Sequence, residues 1–367
     1  MSASRPNRPS NGTSWGAPLR LVLRLLVMGV GIGVITGTAL KLLAPRLAGG
    51  SATMPRLMPA GTPSLQPLQR GLALGRFEPR QELTAVSRKW AQLAAVHKDL
   101  QASGYLLVLD DGRFAQLQAE KPLPAASSIK TPILLAGLED LDAGRLRWNE
   151  PLPLTKDVVG GGAGWMANKP VGTRFPFWEA AMEMIRVSDN SATNLLIKRL
   201  GGKTALNARF QSMGLTGTVI NNWLPDLDGT NTTSAHDLAR SIALVDTGEK
   251  LSPRARDLFR EVMGKSRTNT LLPLGLLMGL GGDSSDPDSD LLAHGVTVLN
   301  KTGDIGIAYA DGGLIELPNG QRAVAAFLVK GPFNDQRSTD LIRAMAAEVA
   351  RALVGKGAGG GAGAAAR

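Results

Sequence analysis

Three stretches near the C-terminus decide the fold: VTVLNKT at Val296–Thr302, AYADGGLIEL at Ala308–Leu317 and RAVAAFLV at Arg322–Val329. Each has the alternating pattern that predicts a β-strand. Pro318-Asn319-Gly320 lies between the last two stretches and predicts a turn, since these residue types favour tight turns. The apolar spacing in Ser338–Leu353 predicts a closing helix. We therefore expect the chain to end in three strands and a helix.

Two further segments that predict β-strands lie near the beginning of the folded domain. Tyr105–Leu109 and Arg113–Leu117 flank Asp110-Asp111-Gly112, which is a hairpin signal. Most of the remaining body has helical periodicity, in residues 83–101, 128–142, 177–184, 192–200, 234–245 and 253–263. We predict an α+β fold in which N- and C-terminal strands form one antiparallel sheet, with a helical region in the middle of the chain.

The composition excludes several classes of function. The chain has 367 residues, of which 43% are hydrophobic, and no cysteine. It therefore has no disulfide framework, cysteine nucleophile or thiolate metal site. The net charge is +10, but +9 of it lies in residues 1–80. Because the remaining body is nearly neutral, we expect no nucleic-acid partner.

The first 43 residues predict a membrane anchor. Residues 1–18 are polar and basic, which predicts a disordered cytoplasmic segment. Residues 19–43 carry no charge from Leu25 to Leu40, and the flanking Arg24 and Lys41 can snorkel to the membrane surface. We predict an uncleaved transmembrane signal anchor over residues 19–43. A cleaved signal peptide is the alternative, although no small-x-small site directly follows the apolar run.

Low-complexity segments bound the folded domain on both sides. Residues 44–80 are rich in proline with scattered glycine, which predicts an extended linker. Residues 355–367, GKGAGGGAGAAAR, predict a flexible tail. The folded domain is therefore expected over residues 81–354.

The first candidate for chemistry is the S-x-x-K motif Ser127-Ser128-Ile129-Lys130. A serine hydroxyl is a weak nucleophile until a base takes its proton. Residues three apart on a helix share a face, so Lys130 can reach Ser127. A lysine acts as a base only when burial or a nearby cation lowers its pKa. Taken alone, the motif is better explained by an exposed serine and lysine at an ordinary helix start.

Two further motifs could complete a site. Ser188-Asp189-Asn190 interrupts a helical region and displays a hydroxyl and an amide. Lys301-Thr302-Gly303 ends a predicted strand and offers a cation, a hydroxyl and room for close approach. Taken alone, the first is also an ordinary helix cap, and the second an ordinary strand exit.

Together the three motifs resemble the serine β-lactamase and penicillin-binding-protein superfamily, in which S-x-x-K, S-D-N and K-T-G occur in this order. The spacings of 61 and 113 residues resemble the class A β-lactamase branch, as do the surrounding residues over roughly 100–352. The resemblance implies the β-lactamase/transpeptidase-like fold and a β-lactam or D-alanyl peptide substrate. With the anchor, it implies a single-pass protein of the bacterial inner membrane whose domain is periplasmic.

The resemblance also implies catalytic roles. Ser127 would be the acylated nucleophile, and Lys130 its base or part of the proton relay. Ser188 would pass the proton to the leaving nitrogen. The backbone N–H groups of Ser127 and Asp304 would form the oxyanion hole.

Substrate binding is implied for the remaining motif residues. Asn190 would hold the side-chain amide of the substrate. Lys301 and Thr302 would bind the substrate carboxylate, and Lys301 would help to keep Lys130 neutral. Gly303 and Asp304 would lie along the substrate.

One position departs from class A enzymes, which use a glutamate to activate the water that frees the acyl-enzyme. In this chain Leu224 stands at that place, in the run Trp223–Asp228. Leucine cannot activate water, so the resemblance implies acylation with slow release. Asp226 or Asp228 could substitute, but neither is in register, and we expect Asp226 to serve as an ion-pair partner.

Three functions therefore stay open: β-lactam hydrolysis, a penicillin-binding D-alanyl peptidase, and a non-catalytic binder of β-lactams or peptidoglycan.

The histidines His97, His236 and His294 are scattered without ligand spacing, so we expect no metal. We expect no other cofactor either. The acidic run from Asp283 to Asp290 predicts a solvated loop. The sequence leaves the oligomeric state open.

Overall fold

The computed structural model describes residues 77–354. The predicted segments 1–18, 19–43 and 355–367, and all but the end of the linker, lie outside the described residues. Within residues 77–354, no helix is both long and apolar enough to cross a bilayer. The strands there are β1 (Gln81–Glu82), β2 (Gln101–Val108), β3 (Arg113–Leu117), β4 (Leu123–Pro124), β5 (Pro151–Pro153), β6 (Arg174–Pro176), β7 (Thr232–Thr233), β8 (Thr297–Asp304), β9 (Ala308–Glu316) and β10 (Arg322–Lys330).

Ten α-helices surround these strands in the described part of the chain. They are α1 (Thr84–Ala95), α2 (Lys130–Asp142), α3 (Phe177–Arg186), α4 (Asn190–Arg199), α5 (Gly202–Ser212), α6 (Ala235–Asp246), α7 (Pro253–Met263), α8 (Leu272–Gly279), α9 (Pro287–Ala293) and α10 (Gln336–Leu353).

One six-stranded sheet organises the fold, with strand order β1-β3-β2-β10-β9-β8. The central pair joins the two ends of the body, because β10 runs antiparallel to β2, with Ala325 opposite Leu106. This confirms the predicted α+β fold with a shared sheet. The sheet is not wholly antiparallel, since the short β1 pairs parallel with β3.

Both faces of this sheet are covered by apolar side chains. Successive side chains along a strand therefore pack alternately into two different hydrophobic cores. One core contains Leu107 and Val324 together with the helices of the middle region. The other contains Leu106 and Phe327 together with α1, α8 and α10. Neighbouring residues of one strand thus point into different cores.

Several elements differ from the sequence-based prediction. The first helix ends at Ala95, and Gln101 already belongs to β2. Helix α5 was not expected, because only Leu206 and Phe210 of its residues are buried, too few for a clear period. Helix α8 is apolar on nearly every side, so it has no periodic signal. The predicted acidic loop contains the start of α9, which corrects that interpretation.

Candidate active site

The S-x-x-K motif lies where a short 3-10 turn runs into α2. Ser127 is in the turn Ala126–Ile129 and is partly exposed, whereas Lys130 begins α2 and is fully buried. The two residues thus sit on consecutive turns of different type rather than on one regular helix. Within residues 77–354, no hydrogen bond joins Ser127 Oγ to Lys130 Nζ.

The S-D-N motif lies beside Lys130. Lys130 Nζ donates to the backbone oxygen of Ser188 at 2.6 Å, to Ser188 Oγ at 2.9 Å and to Asn190 Oδ1 at 3.0 Å. A charged ammonium would donate in all three contacts, whereas a neutral amine would donate to the two carbonyl-type oxygens and accept from the Ser188 hydroxyl. The amide of Asn190 in turn donates to the backbone oxygen of Gly161 at 2.8 Å. The first and second motifs therefore form one hydrogen-bonded network.

The environment of Lys130 favours a neutral amine. Burial lowers the pKa of Lys130 well below its usual value, and the nearby cation Lys301 lowers it further. The carboxylate of Asp189 opposes these effects. Desolvation and a neighbouring cation are the two causes that can convert a lysine into a base near neutral pH.

Asp189 fixes the loop that carries Ser188. Its Oδ1 caps α4 by accepting from the backbone of Ala192, at 2.9 Å. Its Oδ2 accepts from the backbone N–H groups of Trp165 and Met166, at 2.7 and 2.8 Å. Ser188 itself has a positive φ of 60°, which is unusual for a residue other than glycine. This buried carboxylate holds the strained Ser188 in place.

The K-T-G motif on β8 closes the site from the other side. A Cβ on Gly303 would lie 2.8 Å from the backbone oxygen of Ala125 and 2.9 Å from the backbone nitrogen of Ser127. Only glycine therefore permits this approach of β8 to the turn that carries Ser127. Asp304 follows at the exposed end of the strand, and its Oδ1 accepts from the backbone of Gly306 at 2.8 Å.

Lys301 is buried in the same strand, and its Nζ donates to the backbone oxygen of Thr302 at 2.8 Å. Burial lowers the pKa of Lys301 to about 8, against an opposing effect of Asp311. Lys301 is therefore still largely cationic at neutral pH. Thr302 is buried beside it.

Asp311 was not predicted from the sequence and is fully buried on β9, opposite Thr302. It accepts hydrogen bonds from the backbone of Leu272 at 2.9 Å and from Asn300 Nδ2 at 2.9 Å. Burial raises the pKa of Asp311 to about 6 despite these bonds and the cation Lys301. The sequence around Asp311 contains no motif that would single it out. Asp311 comes close to the K-T-G motif only because the pairing of β8 with β9 places it opposite Thr302.

Leu224 is fixed by a single side chain. Asn194 Oδ1 accepts from the backbone nitrogen of Leu224 at 2.9 Å, and Asn194 Nδ2 donates to its backbone oxygen at 2.8 Å. The side chain of Leu224 is 4% exposed and packs in the larger core. The loop is therefore held firmly, and its side chain at this position is apolar and buried.

The two aspartates near Leu224 have different surroundings. Asp226 accepts hydrogen bonds from Thr230 Oγ1 at 2.8 Å and from the backbone of Asn231 at 2.6 Å. These bonds close its own loop, and they replace the ion pair that we expected for Asp226. Asp228 is exposed.

The site thus combines a serine on a tight turn, a buried lysine with a lowered pKa, and a second serine in contact with that lysine. This arrangement has the parts that nucleophilic acyl transfer needs. Comparisons with known proteins agree with it. Residues 85–353 match the family model of the β-lactamase enzyme family. The chain belongs to this family, within the class A-like part of the serine β-lactamase and penicillin-binding-protein superfamily.

Similar proteins include both enzymes and a penicillin-binding structure. A β-lactamase of Streptomyces cellulosae is 28% identical over 272 residues, which cover 71% of this chain and 78% of that protein. The structure of PBP-A has 41% identity and a TM-score of 0.69, and the match covers 76% of this chain and 98% of PBP-A. A leucine-to-glutamate variant of PBP-A, solved as its acyl-enzyme with penicillin G, matches with a TM-score of 0.68, 41% identity and coverage of 75% and 98%.

Proposed function

We propose that the chain is a serine hydrolase that reacts with β-lactams to form an acyl-enzyme on Ser127 and releases the product slowly. The observation that carries this proposal is the contact of Lys130 Nζ with Ser188 Oγ at 2.9 Å, combined with an apolar Leu224 in the loop nearby. The first supplies a route for the proton, and the second leaves the hydrolytic water without a base.

Acylation would begin with attack of Ser127 Oγ on the lactam carbonyl carbon. A carbon–oxygen bond forms, and the carbon–nitrogen bond of the lactam breaks. Neutral Lys130 takes the serine proton, and Ser188 Oγ relays a proton to the departing nitrogen. The backbone N–H groups of Ser127 and Asp304 would stabilise the negative oxygen of the intermediate.

Substrate recognition would rest on the strand edge and the amide of the second motif. Lys301 and Thr302 would bind the carboxylate that β-lactams and D-alanyl peptides share. Asn190 would hold the acylamino side chain, and Gly303 would let the substrate lie close to β8.

Release of the acyl group would be slow, because neither Leu224 nor the loop-closing Asp226 offers a base to water. This observation favours a second candidate function, a penicillin-binding D-alanyl peptidase. The acyl-enzyme of the leucine-to-glutamate variant of PBP-A with penicillin G supports acylation by penicillins in this part of the family, and it does not bear on the lifetime of an adduct beside a leucine. A non-catalytic binder would show saturable binding without any covalent adduct.

We also propose that the domain works on the periplasmic side of the bacterial inner membrane, anchored by residues 19–43. Support comes from the sequence alone: the apolar run from Leu25 to Leu40 with Arg24 and Lys41 at its ends.

The test is the intact-protein mass over time after addition of penicillin G, with Ser127→Ala as the matched control. We expect a single adduct that persists and is absent from the variant. Free product without a lasting adduct, if Ser127→Ala abolishes it, would instead show an efficient β-lactamase. D-alanine release from cell-wall peptides would show the peptidase, and neither adduct nor product would refute the proposal.

A further inference from the structure

A second cluster of reactive side chains lies away from the candidate active site and uses none of its residues. Glu120 precedes β4, while His236 and Asp237 lie in the first turn of α6. One possible ligand atom from each residue lies within 4.8 Å of the other two. Among residues 77–354, this is the one such group of three histidine or carboxylate ligands.

The separations within this cluster match those between ligands of one small cation. His236 Nδ1 lies 3.3 Å from Glu120 Oε1 and 3.7 Å from Asp237 Oδ1. Zinc binds nitrogen and oxygen ligands tetrahedrally at about 2.1 Å, which places neighbouring ligand atoms about 3.4 Å apart. The three atoms therefore already form the approximate outline of a shared coordination sphere.

Polar atoms without partners are concentrated at this place. Asp237 is 1% exposed, and its Oδ2 accepts from the backbone of Gly217 at 2.7 Å and from Thr218 Oγ1 at 2.9 Å. Its Oδ1, however, is buried without a hydrogen bond, and so are His236 Nδ1 and the hydroxyl of Tyr105. Six buried side-chain atoms lack a partner in the described residues, and half of them lie here. Native proteins rarely leave such atoms unsatisfied without a ligand or a functional reason.

The fold brings the three residues together. The backbone nitrogen of His236 donates to the backbone oxygen of Ala119 at 3.0 Å, which keeps Glu120 beside the histidine. The imidazole packs edge-to-face against the rings of Phe77 and Tyr105, whose centroids lie 5.0 and 5.1 Å from its own. Glu120 is exposed, so the cluster is open to solvent on one side.

The charge balance favours a cation. Two carboxylates face one histidine, and burial together with the nearby charge of Glu120 raises the pKa of the Tyr105 hydroxyl to about 12. Arg240 lies over the ring of Phe77, and its Nε donates to the backbone oxygen of Met213 at 2.9 Å. Its guanidinium is therefore engaged outside the cluster.

We propose that Glu120, His236 and Asp237 bind a divalent transition-metal cation of the zinc class. One imidazole nitrogen and two carboxylate oxygens suit zinc, whereas calcium and magnesium prefer oxygen ligands alone. Water would complete the sphere on the exposed side of Glu120. The site departs from the sequence-based expectation of no metal, because its ligands have no motif spacing and are assembled by the contact between α6 and the segment before β4.

The experiment uses the full chain, freed of metal with a chelator and then titrated with zinc chloride in a calorimeter. We expect one zinc ion per chain, retained through gel filtration and measured by elemental analysis. His236→Ala should weaken binding by more than about a hundredfold, since even partners of metal ligands contribute 10–100-fold. Glu120→Gln, which changes an exposed residue, provides a second variant that should fold normally and bind less tightly.

His294→Ala is the matched control, because His294 is also a helix-end histidine but lies outside the cluster. It should bind zinc like the unmodified chain. Failure to take up zinc would overturn the proposal. Equal uptake by His236→Ala, or tighter binding of calcium than of zinc, would overturn it as well.

Discussion

At the scale of single residues, the proposed function assigns to Leu224 the long lifetime of an acyl group on Ser127. Leu224→Glu should shorten the lifetime of the penicillin adduct by about tenfold or more, because a carboxylate there can accept a proton from water. The rate of adduct decay, followed by mass, measures this effect. Leu224→Gln is the matched control, since it has similar size and no basic oxygen. Equal decay rates in both variants would rule out this role for the position.

The acylation rate should fall as the pH rises above about 8. The pKa of Lys301 is lowered to about 8, so the cation that we propose as the partner of the substrate carboxylate is present below this pH and is lost above it. Lys301→Arg should remove the alkaline decline, because arginine stays charged. The measurement is the second-order rate constant for adduct formation between pH 6 and 10. An unchanged alkaline limb in the arginine variant would assign the decline to another group.

The sequence predicted the residues with motif signals and missed those that act through packing. Ser127, Lys130 and Ser188 could be singled out because their types and order are distinctive. Asp311 and Asn194 could not be singled out in this way. Asp311 reaches the site through the pairing of β9 with β8, and Asn194 through its contact with Leu224, 30 residues away in the chain. Such contacts depend on tertiary structure and leave no local pattern.

At the scale of elements, the contact of β8 with the turn that carries Ser127 depends on Gly303. Gly303→Ala should slow acylation by at least about a hundredfold, because the new methyl group would meet backbone atoms that cannot move aside independently. Gly217→Ala is the control, as contacts there begin at an ordinary 3.4 Å. Adduct formation in both variants gives the comparison, and normal acylation in Gly303→Ala would show that the strand can shift.

Helix α4 and the loop before it depend on Asp189. Asp189→Ala removes three hydrogen bonds of a buried carboxylate and should lower the free energy of unfolding by about 3 kcal/mol. Ser252→Ala removes an exposed helix cap and should cost only about 1 kcal/mol. Urea denaturation of both variants tests the difference. Similar losses would mean that Asp189 acts only as a cap.

Elements with clear periodicity were predicted well, and the reason is physical. Helix α7 begins at Pro253 and ends at Met263 as expected, because one face is buried and Ser252 caps it. Helix α8 was missed, since burial on nearly all sides removes the contrast that defines a period. Where both faces of an element are covered, the sequence carries less information about its type.

At the scale of the whole molecule, the structure refines where the domain can be cut. Phe77 falls in the predicted linker, yet it is buried against Tyr105 and His236. Removal of residues 1–76 should leave the thermal stability and acylation rate unchanged and release the protein from membranes. Removal of residues 1–80 should lower the stability by about 2 kcal/mol, since it exposes the site of a buried phenylalanine. Thermal melts and membrane fractionation compare the two truncations. Equal stability would show that Phe77 contributes little.

The pairing of β2 with β10 has a consequence for biosynthesis. These strands lie at opposite ends of the body, yet they form the centre of the sheet. A nascent chain on the ribosome therefore carries the S-x-x-K motif long before the strand that completes its surroundings has been made. Contacts between such distant segments also slow folding. Labelling by a fluorescent penicillin should thus begin only after translation has passed residue 330, which makes the reaction a reporter of completed folding.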